Sequence, residues 1–161
     1  MTSKQKKGQL TNTSHLNNLV SNYKQHRWLS NSQKLGKPDS LSTWYGLDEL
    51  QEFLELAKTH NADGIKMFYG VYDKDYHVKE MAGRQTIILV ATRKNEDTPG
   101  NFNKAILVNK DGKKEVLAFN FGEICPPYCG GFPPDGDPHI ELEMDNIGQI
   151  IIERNGNLEI L

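Results

Sequence analysis

The sequence predicts an α+β fold in which two N-terminal helices pack on a mainly antiparallel sheet that carries a long Pro/Gly-rich loop. Apolar residues recur at helical spacing up to about residue 60 and alternate with period two beyond it. Strands that follow one another without intervening helices are typical of antiparallel sheets. A chain of 161 residues can form one core, so we assign residues 13–161 to a single α+β domain and residues 1–12 to a disordered basic tail.

The first helix is predicted over residues 13–37 as an amphipathic segment. Thr13 or Ser14 can cap its N-terminus, since either side chain can accept a hydrogen bond from a free backbone N–H. Apolar side chains then follow at i, i+3, i+4 and i+7 spacing: Leu16, Leu19, Val20 and Tyr23. Leu35 and Gly36 mark its end. Because its outer face is polar, the helix needs a packing partner to be stable.

The second helix opens the helix-plus-sheet body, which we assign to residues 46–161. Gly46 is its predicted cap, and Asp48 and Glu49 follow in the first turn, where carboxylates complement the helix dipole. The helix extends to about His60. Its apolar stripe consists of Leu47, Leu50, Phe53, Leu54 and Ala57. Such a stripe is typical of a helix that faces a core.

Five to seven strands are predicted after the second helix. Residues 64–72 alternate in polarity, which indicates a strand with one buried face. Residues 86–91 are continuously apolar and β-branched, as in a central strand covered on both sides. Asp-Gly and Asn-Gly pairs at residues 111–112 and 155–156 predict two hairpins. Residues 139–152 fit either a helix or a strand.

Charge is unevenly distributed along the chain. Residues 1–38 contain seven basic residues and no acidic residue. The remaining residues contain the other 12 of the 19 basic residues and all 21 acidic residues. This segment could contact nucleic acid through residues 4–37. Alternatively, it packs on the acidic body of its own chain or forms a homodimer through the N-terminal helix. Nucleic acid is the less favoured partner, because Arg27, Tyr23 and Trp28 are the segment's only arginine and large aromatic residues.

The composition predicts a cytoplasmic protein without a membrane partner. No run of about 18 apolar residues is present, and the basic N-terminus lacks the apolar core of a signal peptide. In the cytoplasm, the two cysteines are expected as free thiols.

The loop from Cys125 to Pro138 holds five of the seven prolines and both cysteines, so it is neither a helix nor a central strand. Cys125 and Cys129 have the spacing of one half of a zinc site, and His139 is the nearest further ligand. The sequence offers no second cysteine pair, and a redox pair would favour Cys-x-x-Cys at a helix start. We therefore expect no cofactor and a proline-stiffened loop with buried thiols or a disulfide, with zinc as the alternative.

Four stretches carry a resemblance to a known group of proteins: residues 42–50, 63–72, 86–92 and 121–129. They resemble small uncharacterised bacterial proteins that share a W-[YF]-S-x-E-[ED]-L helix start, a D-G-I-R-[IV]-Y strand and a C-P-P-x-C motif. The resemblance covers about half of the chain and implies kinship without an established function. Lys66 stands where the group usually has arginine, which keeps the charge but loses the bidentate fork.

The interpretation we favour is a non-catalytic binding or interaction module. Its contact surface would join the proline loop to the strand at residues 64–72, because aromatic side chains on a rigid loop bind at a small entropic cost. The residues assigned to this surface are Lys66, Tyr69, Tyr72, Tyr128 and Phe132. Two alternatives stay open. One is a metal- or thiol-dependent enzyme centred on Cys125, Cys129 and His139, and the other is a nucleic-acid contact through the basic N-terminal segment.

Overall fold

The structure is a computed structural model that describes residues 8–94 and 103–128 in full, together with the backbone of residues 150–152 and 158–160. Most of the predicted tail, residues 1–12, therefore lies outside the described residues. Every described strand pair is antiparallel, and two helices accompany the sheets in this part of the chain. These features confirm the α+β class.

The chain divides into two units, of which one combines Met1–Pro38 with Gly130–Leu161. Its described part contains a helix of 23 residues. The helix runs as α1 (Thr13–Tyr23), a π-helical segment (Lys24–Trp28) and α2 (Leu29–Leu35). It ends at Gly36, which has a φ of 72°, as the sequence predicts.

The N-terminal cap of this helix differs from the prediction. Asn12, rather than Thr13 or Ser14, caps α1, because its Oδ1 accepts a hydrogen bond from the His15 N–H at 2.8 Å. Asn side chains are among the strongest N-caps. Thr13 and Ser14 consequently lie inside the first helical turn.

Two further strands of this unit, Ile150–Ile152 and Leu158–Ile160, pair antiparallel. This pairing confirms the second predicted hairpin. It also resolves the last part of the ambiguous segment, residues 139–152, as a strand. Residues 139–149 lie outside the described residues.

The second unit, Asp39–Cys129, supplies the sheet and the core. Its elements in chain order are β1 (Ser42–Trp44), α3 (Leu47–Thr59), β2 (Gly64–Val71), β3 (Gln85–Lys94), β4 (Asn103–Ala105), β5 (Leu107–Lys110), β6 (Lys113–Val116), β7 (Ala118–Phe119) and β8 (Glu123–Cys125). A four-stranded sheet has the order β2-β3-β4, with β7 also paired to β3. The other pairs are β1 with β8 and β5 with β6.

Strand β1 lies in the segment between the two predicted helices, and β8 ends at the first residue of the proline loop. Ser42 lies opposite Cys125, and Trp44 lies opposite Glu123. The pairing joins segments far apart in the chain, so no local pattern indicates it.

The core of this unit lies between α3 and the centre of the sheet. Its buried residues are Phe53, Ala57, Leu89, Ala91, Ile106 and Leu117. α3 begins as predicted, because the Gly46 N–H donates to Glu49 Oε2 at 2.8 Å. Leu47 and Leu54 of the predicted stripe are exposed, so only part of the stripe faces the core.

The hairpin predicted at residues 111–112 is confirmed. β5 and β6 flank Asp111 and Gly112, whose φ angles are 50° and 78°. Two successive residues with positive φ form the type I′ turn, whose twist matches that of a two-stranded hairpin.

Candidate functional site

Strand β2 occupies one edge of the four-stranded sheet. It pairs with β3 from Gly64 opposite Thr92 to Val71 opposite Gln85. Within the part of the chain that the structure describes, no second strand pairs with β2. The outer side of β2 therefore presents unpaired backbone groups.

The hydrogen bonds of β3 decide which residues of β2 face this open edge. The Ala91 backbone points away from β2, because its N–H donates to Leu117 O at 3.0 Å and its carbonyl accepts from the Ile106 N–H at 2.9 Å. Ala91 lies opposite Ile65, so this pair is a non-hydrogen-bonded pair of the ladder. Alternation then directs the backbone groups of the odd-numbered residues to the open edge: Ile65, Met67, Tyr69 and Val71.

Three of these residues also expose large apolar side chains. The exposed fractions are 65% for Met67, 80% for Tyr69 and 69% for Val71. Met67 lies opposite Leu89 and Tyr69 opposite Ile87, so these side chains share the face of the sheet that packs on α3. This stretch is an uncovered continuation of the core.

The predicted buried face of β2 is therefore wrong for most of the strand. Ile65 packs against the core cluster, but the later residues of the same face are open to solvent. The reason is that α3 covers the centre of the sheet, where β3 lies, and leaves the edge strand bare. Local alternation cannot distinguish an edge strand from a central one.

Lys66 and Phe68 lie on the opposite face of β2. The Lys66 Nζ is 5.9 Å from the centre of the Phe68 ring, a separation at which an ammonium is attracted to an aromatic face. Both side chains are exposed. The predicted site residues Lys66 and Tyr69 thus share one strand but not one face.

Tyr72 lies just beyond β2 and is buried, with an exposed fraction of 8%. Its ring centre is 4.7 Å from that of Tyr76, and its hydroxyl has no hydrogen-bond partner in the described part of the chain. A buried side chain does not contribute to an open contact surface. Its assignment to that surface does not fit the structure.

Comparison with known proteins adds nothing to this geometry. No family model, curated protein or solved structure matches the chain. The candidate site is therefore inferred from the contacts and exposure of this chain's residues alone.

Tyr128 is exposed and follows β8, whose partner strand is β1 rather than β2. Its N–H donates to Ile124 O at 2.9 Å, which fixes the backbone at the start of the proline loop. Phe132, also predicted for the contact surface, lies outside the described residues. Strand pairing thus does not bring Tyr128 to Lys66 and Tyr69.

Cys125 is in a disulfide, so the expectation of free thiols is wrong for this residue. The disulfide was one of the alternatives that the sequence left open. A disulfide sulfur is not the thiolate that binds zinc or attacks a substrate. The other proposed ligands, Cys129 and His139, lie outside the described residues. In residues 8–94 and 103–128, no three His, Cys, Asp or Glu side chains form a group that could hold a metal ion.

A buried polar cluster anchors the start of the proline loop. Asp39 Oδ1 accepts hydrogen bonds at 2.7 Å from the backbone N–H groups of Ser40 and Gln85. The Pro126 carbonyl accepts from Ser40 Oγ at 3.2 Å and from Arg84 Nη1 at 3.4 Å. This cluster ties the segment before β1 to the start of β3 and to the loop.

Sequence reasoning missed the residues of this cluster. Asp39 and Ser40 follow Pro38, and such a run is a signal for side-chain hydrogen bonding to nearby backbone. Burial lowers the pKa of Arg84, and the charge of Asp39 opposes that shift. Arg84 itself offers no local signal, because its partners come from distant segments. The peptide bonds Cys125-Pro126 and Pro126-Pro127 are both cis.

The basic N-terminal segment is less available to a polyanion than its sequence suggests. Lys24 is buried in the π-helical segment, with an exposed fraction of 1%, and burial lowers its pKa. Arg27 is exposed and donates from Nη1 to His26 O at 3.0 Å. Lys4, Lys6 and Lys7 lie outside the described residues.

In the described residues, no helix combines the length and apolar character needed to cross a membrane.

Proposed function

We propose that this protein is a non-catalytic interaction module that binds an extended peptide segment along the open edge of β2. The observation that carries the proposal is the coincidence of two features on the same residues. Met67, Tyr69 and Val71 direct unpaired backbone groups to the edge and expose large apolar side chains beside it. An added strand would satisfy the backbone groups and cover the side chains together.

Edge strands are usually protected against such pairing. Natural edges are short, charged, bulged or interrupted by proline. β2 has eight residues, contains no proline, and carries Lys66 as its one charge. An edge this long and apolar favours strand addition.

The chemistry of β2 also specifies the bound segment. Its apolar side chains would alternate, so that one face covers Met67 and Tyr69. On the other face, an acidic residue would lie beside Lys66, since β2 contains one cationic residue and no acidic residue. The expected partner is therefore an extended segment with alternating apolar residues and an Asp or Glu facing Lys66.

A displayed library of peptides about ten residues long, selected on the full chain, tests this function. We expect binding at about micromolar Kd, which corresponds to about −8 kcal/mol. We expect the selected peptides to carry the alternating apolar pattern with an acid. Fluorescence anisotropy with the synthetic peptides should then give at least about tenfold weaker binding to Val71→Lys.

Val116→Lys is the matched control, because Val116 is also an exposed valine but belongs to β6, which pairs with β5 and not with β2. It should bind the peptides as the unaltered chain does. Equal affinity of Val71→Lys would contradict the proposal. Sedimentation analysis could instead show a dimer that the Val71→Lys substitution dissociates. That result would overturn the peptide proposal, because the edge of β2 would then be occupied by a second copy of the chain.

A further inference from the structure

A cleft lies on the other side of β3 from β2. It has a volume of about 440 Å³ and lies among the end of α3, the end of β3, and the β4–β5 connection. Four basic side chains line it: His60, Arg93, Lys94 and Lys104. Residues 105–107 also line it, with Ile106 buried and Leu107 exposed. Among the described residues, none that lines the cleft is acidic.

The strand pairing forces two of these cations together. Arg93 on β3 lies directly opposite Lys104 on β4, and like charges at opposed positions of antiparallel strands are destabilising. Within the described residues, neither side chain has an ion-pair or hydrogen-bond partner. An anion between them would turn this repulsion into attraction.

Asp63 and the last carbonyls of α3, which lie near the cleft in the described residues, accept backbone hydrogen bonds. Asp63 Oδ2 accepts a hydrogen bond from the Lys94 backbone N–H at 3.0 Å, and Asp63 does not line the cleft. The α3 carbonyls of Ala57 and Lys58 accept backbone hydrogen bonds from residues 60–62, which partly offset their negative potential. In the described residues, the lining of the cleft thus carries the charges of Arg93, Lys94 and Lys104 and no carboxylate.

We propose that this cleft binds a small organic anion that carries a phosphate group. A guanidinium can hold phosphate oxygens in a bidentate manner, and lysines add point charges around it. The volume falls in the range of about 300–1,000 Å³ that is usual for small-molecule sites. Ile106 and Leu107 offer apolar contact to the organic part of the ligand.

Charge favours a small anion over a nucleic acid. Residues 39–129 contain 11 basic and 14 acidic residues, so the unit that carries the cleft does not attract a long polyanion. Three lysine or arginine side chains are a local exception in this unit. A ligand of the size of a nucleotide could contact this positive region without extending over the acidic remainder of the unit.

Titration calorimetry with the full chain tests the proposal, using inorganic phosphate, adenosine monophosphate and uncharged adenosine as probes. We expect saturable binding of the two phosphate compounds and none of adenosine. Lys104→Gln and Arg93→Gln should each weaken binding by about tenfold or more, since each removes a charged contact. Arg93→Lys keeps the positive charge but loses the bidentate geometry of the guanidinium. It should therefore weaken phosphate binding less than Arg93→Gln does.

Lys113→Gln is the matched control. Lys113 also lies opposite a lysine, Lys110, but at the β5–β6 turn and outside the cleft. It should leave affinity unchanged, while circular dichroism confirms that all variants fold. Absence of saturable binding at millimolar phosphate compound, or equal weakening in Lys113→Gln, would overturn the proposal. Much tighter, steeply salt-dependent binding of a short single-stranded oligonucleotide would also overturn it, in favour of a nucleic-acid surface.

Discussion

Gly122 shows how strictly single positions of the second unit are determined. A Cβ at this position would lie 2.6 Å from ring atoms of Tyr45 and 2.7 Å from Thr43 Cγ2. The Tyr45 ring cannot easily move, because its hydroxyl donates to Ile87 O at 2.8 Å and its ring centre is 5.5 Å from that of Phe119. Only glycine fits beside this ring.

We expect Gly122→Ala to lower the free energy of unfolding by about 2 kcal/mol, the usual cost of an inserted methyl group in a packed site. Urea denaturation measures this loss. Gly64→Ala is the control, because its Cβ would meet only Thr92 Oγ1 at an ordinary 3.5 Å. If Gly122→Ala lowers the free energy of unfolding no more than Gly64→Ala does, the Tyr45 ring moves to accommodate the methyl group.

The same tyrosine predicts a pH dependence of stability. Burial raises the pKa of Tyr45, the charges of Tyr72 and Glu49 add to the rise, and a hydrogen bond from the Gly122 backbone opposes it. The pKa in the folded chain therefore exceeds the value of about 10 expected in the unfolded chain. The unfolded state ionises first, so the stabilisation present below pH 10 is lost as the pH rises towards the folded pKa.

Urea denaturation from pH 8 to pH 11 tests this dependence. Tyr45→Phe should be less stable at pH 8 by about 1 kcal/mol, because the hydrogen bond to Ile87 is lost. Its stability should fall less steeply above pH 10. Parallel curves for the variant and the unaltered chain would rule out Tyr45 as a source of the dependence.

At the scale of elements, the buried polar cluster joins three segments that the sequence keeps apart. Asp39 bonds to the backbone at the start of β3, and Ser40 and Arg84 both donate to Pro126. Asp39 and Arg84 are both buried, and removing one charge of a buried pair leaves the other uncompensated.

We expect Asp39→Asn to lower the free energy of unfolding by about 3 kcal/mol, although the amide oxygen can still accept the two backbone hydrogen bonds. The control is Asp63→Asn, since Asp63 also accepts a backbone N–H but is exposed. It should change stability by no more than about 0.5 kcal/mol. Equal losses in urea denaturation would mean that the charge of Asp39 does not stabilise the cluster.

Local signals predicted local structure well. Gly46 with Glu49, Gly36, and the Asp-Gly pair at residues 111–112 each act through neighbours in the chain. The helix start, the helix end and the turn that they produce could therefore be predicted from the sequence. The strand of residues 64–72 was correct as a strand for the same reason.

Features that depend on distant pairing could not be predicted. Whether β2 lies at an edge depends on which strands flank β3, and this decides that Tyr69 is exposed. Arg84 and Asp39 meet through the fold, so the anchoring cluster gave little local signal. Of the predicted contact surface, Lys66 and Tyr69 lie on the candidate strand, while Tyr72 is buried.

At the scale of the whole molecule, β3 is the element that links the two proposed sites. β2 with its open edge lies on one side of β3, and β4 with the basic cleft lies on the other. Both sites belong to Asp39–Cys129. A peptide on β2 and an anion in the cleft could therefore be bound together, because no residue is shared between the two sites.

The π-helical segment has a geometric consequence for the long helix of the other unit. In an α-helix, four residues exceed a full turn by about 40°, so side chains spaced by four drift around the axis. The wider π turn needs more residues per turn, and so its drift runs the other way. Between Lys24 and Trp28 the helix is π-helical, and between Trp28 and Ser32 it is α-helical. The two drifts offset each other, so Lys24 and Ser32 return to nearly the same angle around the helix axis. Trp28 between them is displaced to one side, and all three residues are buried.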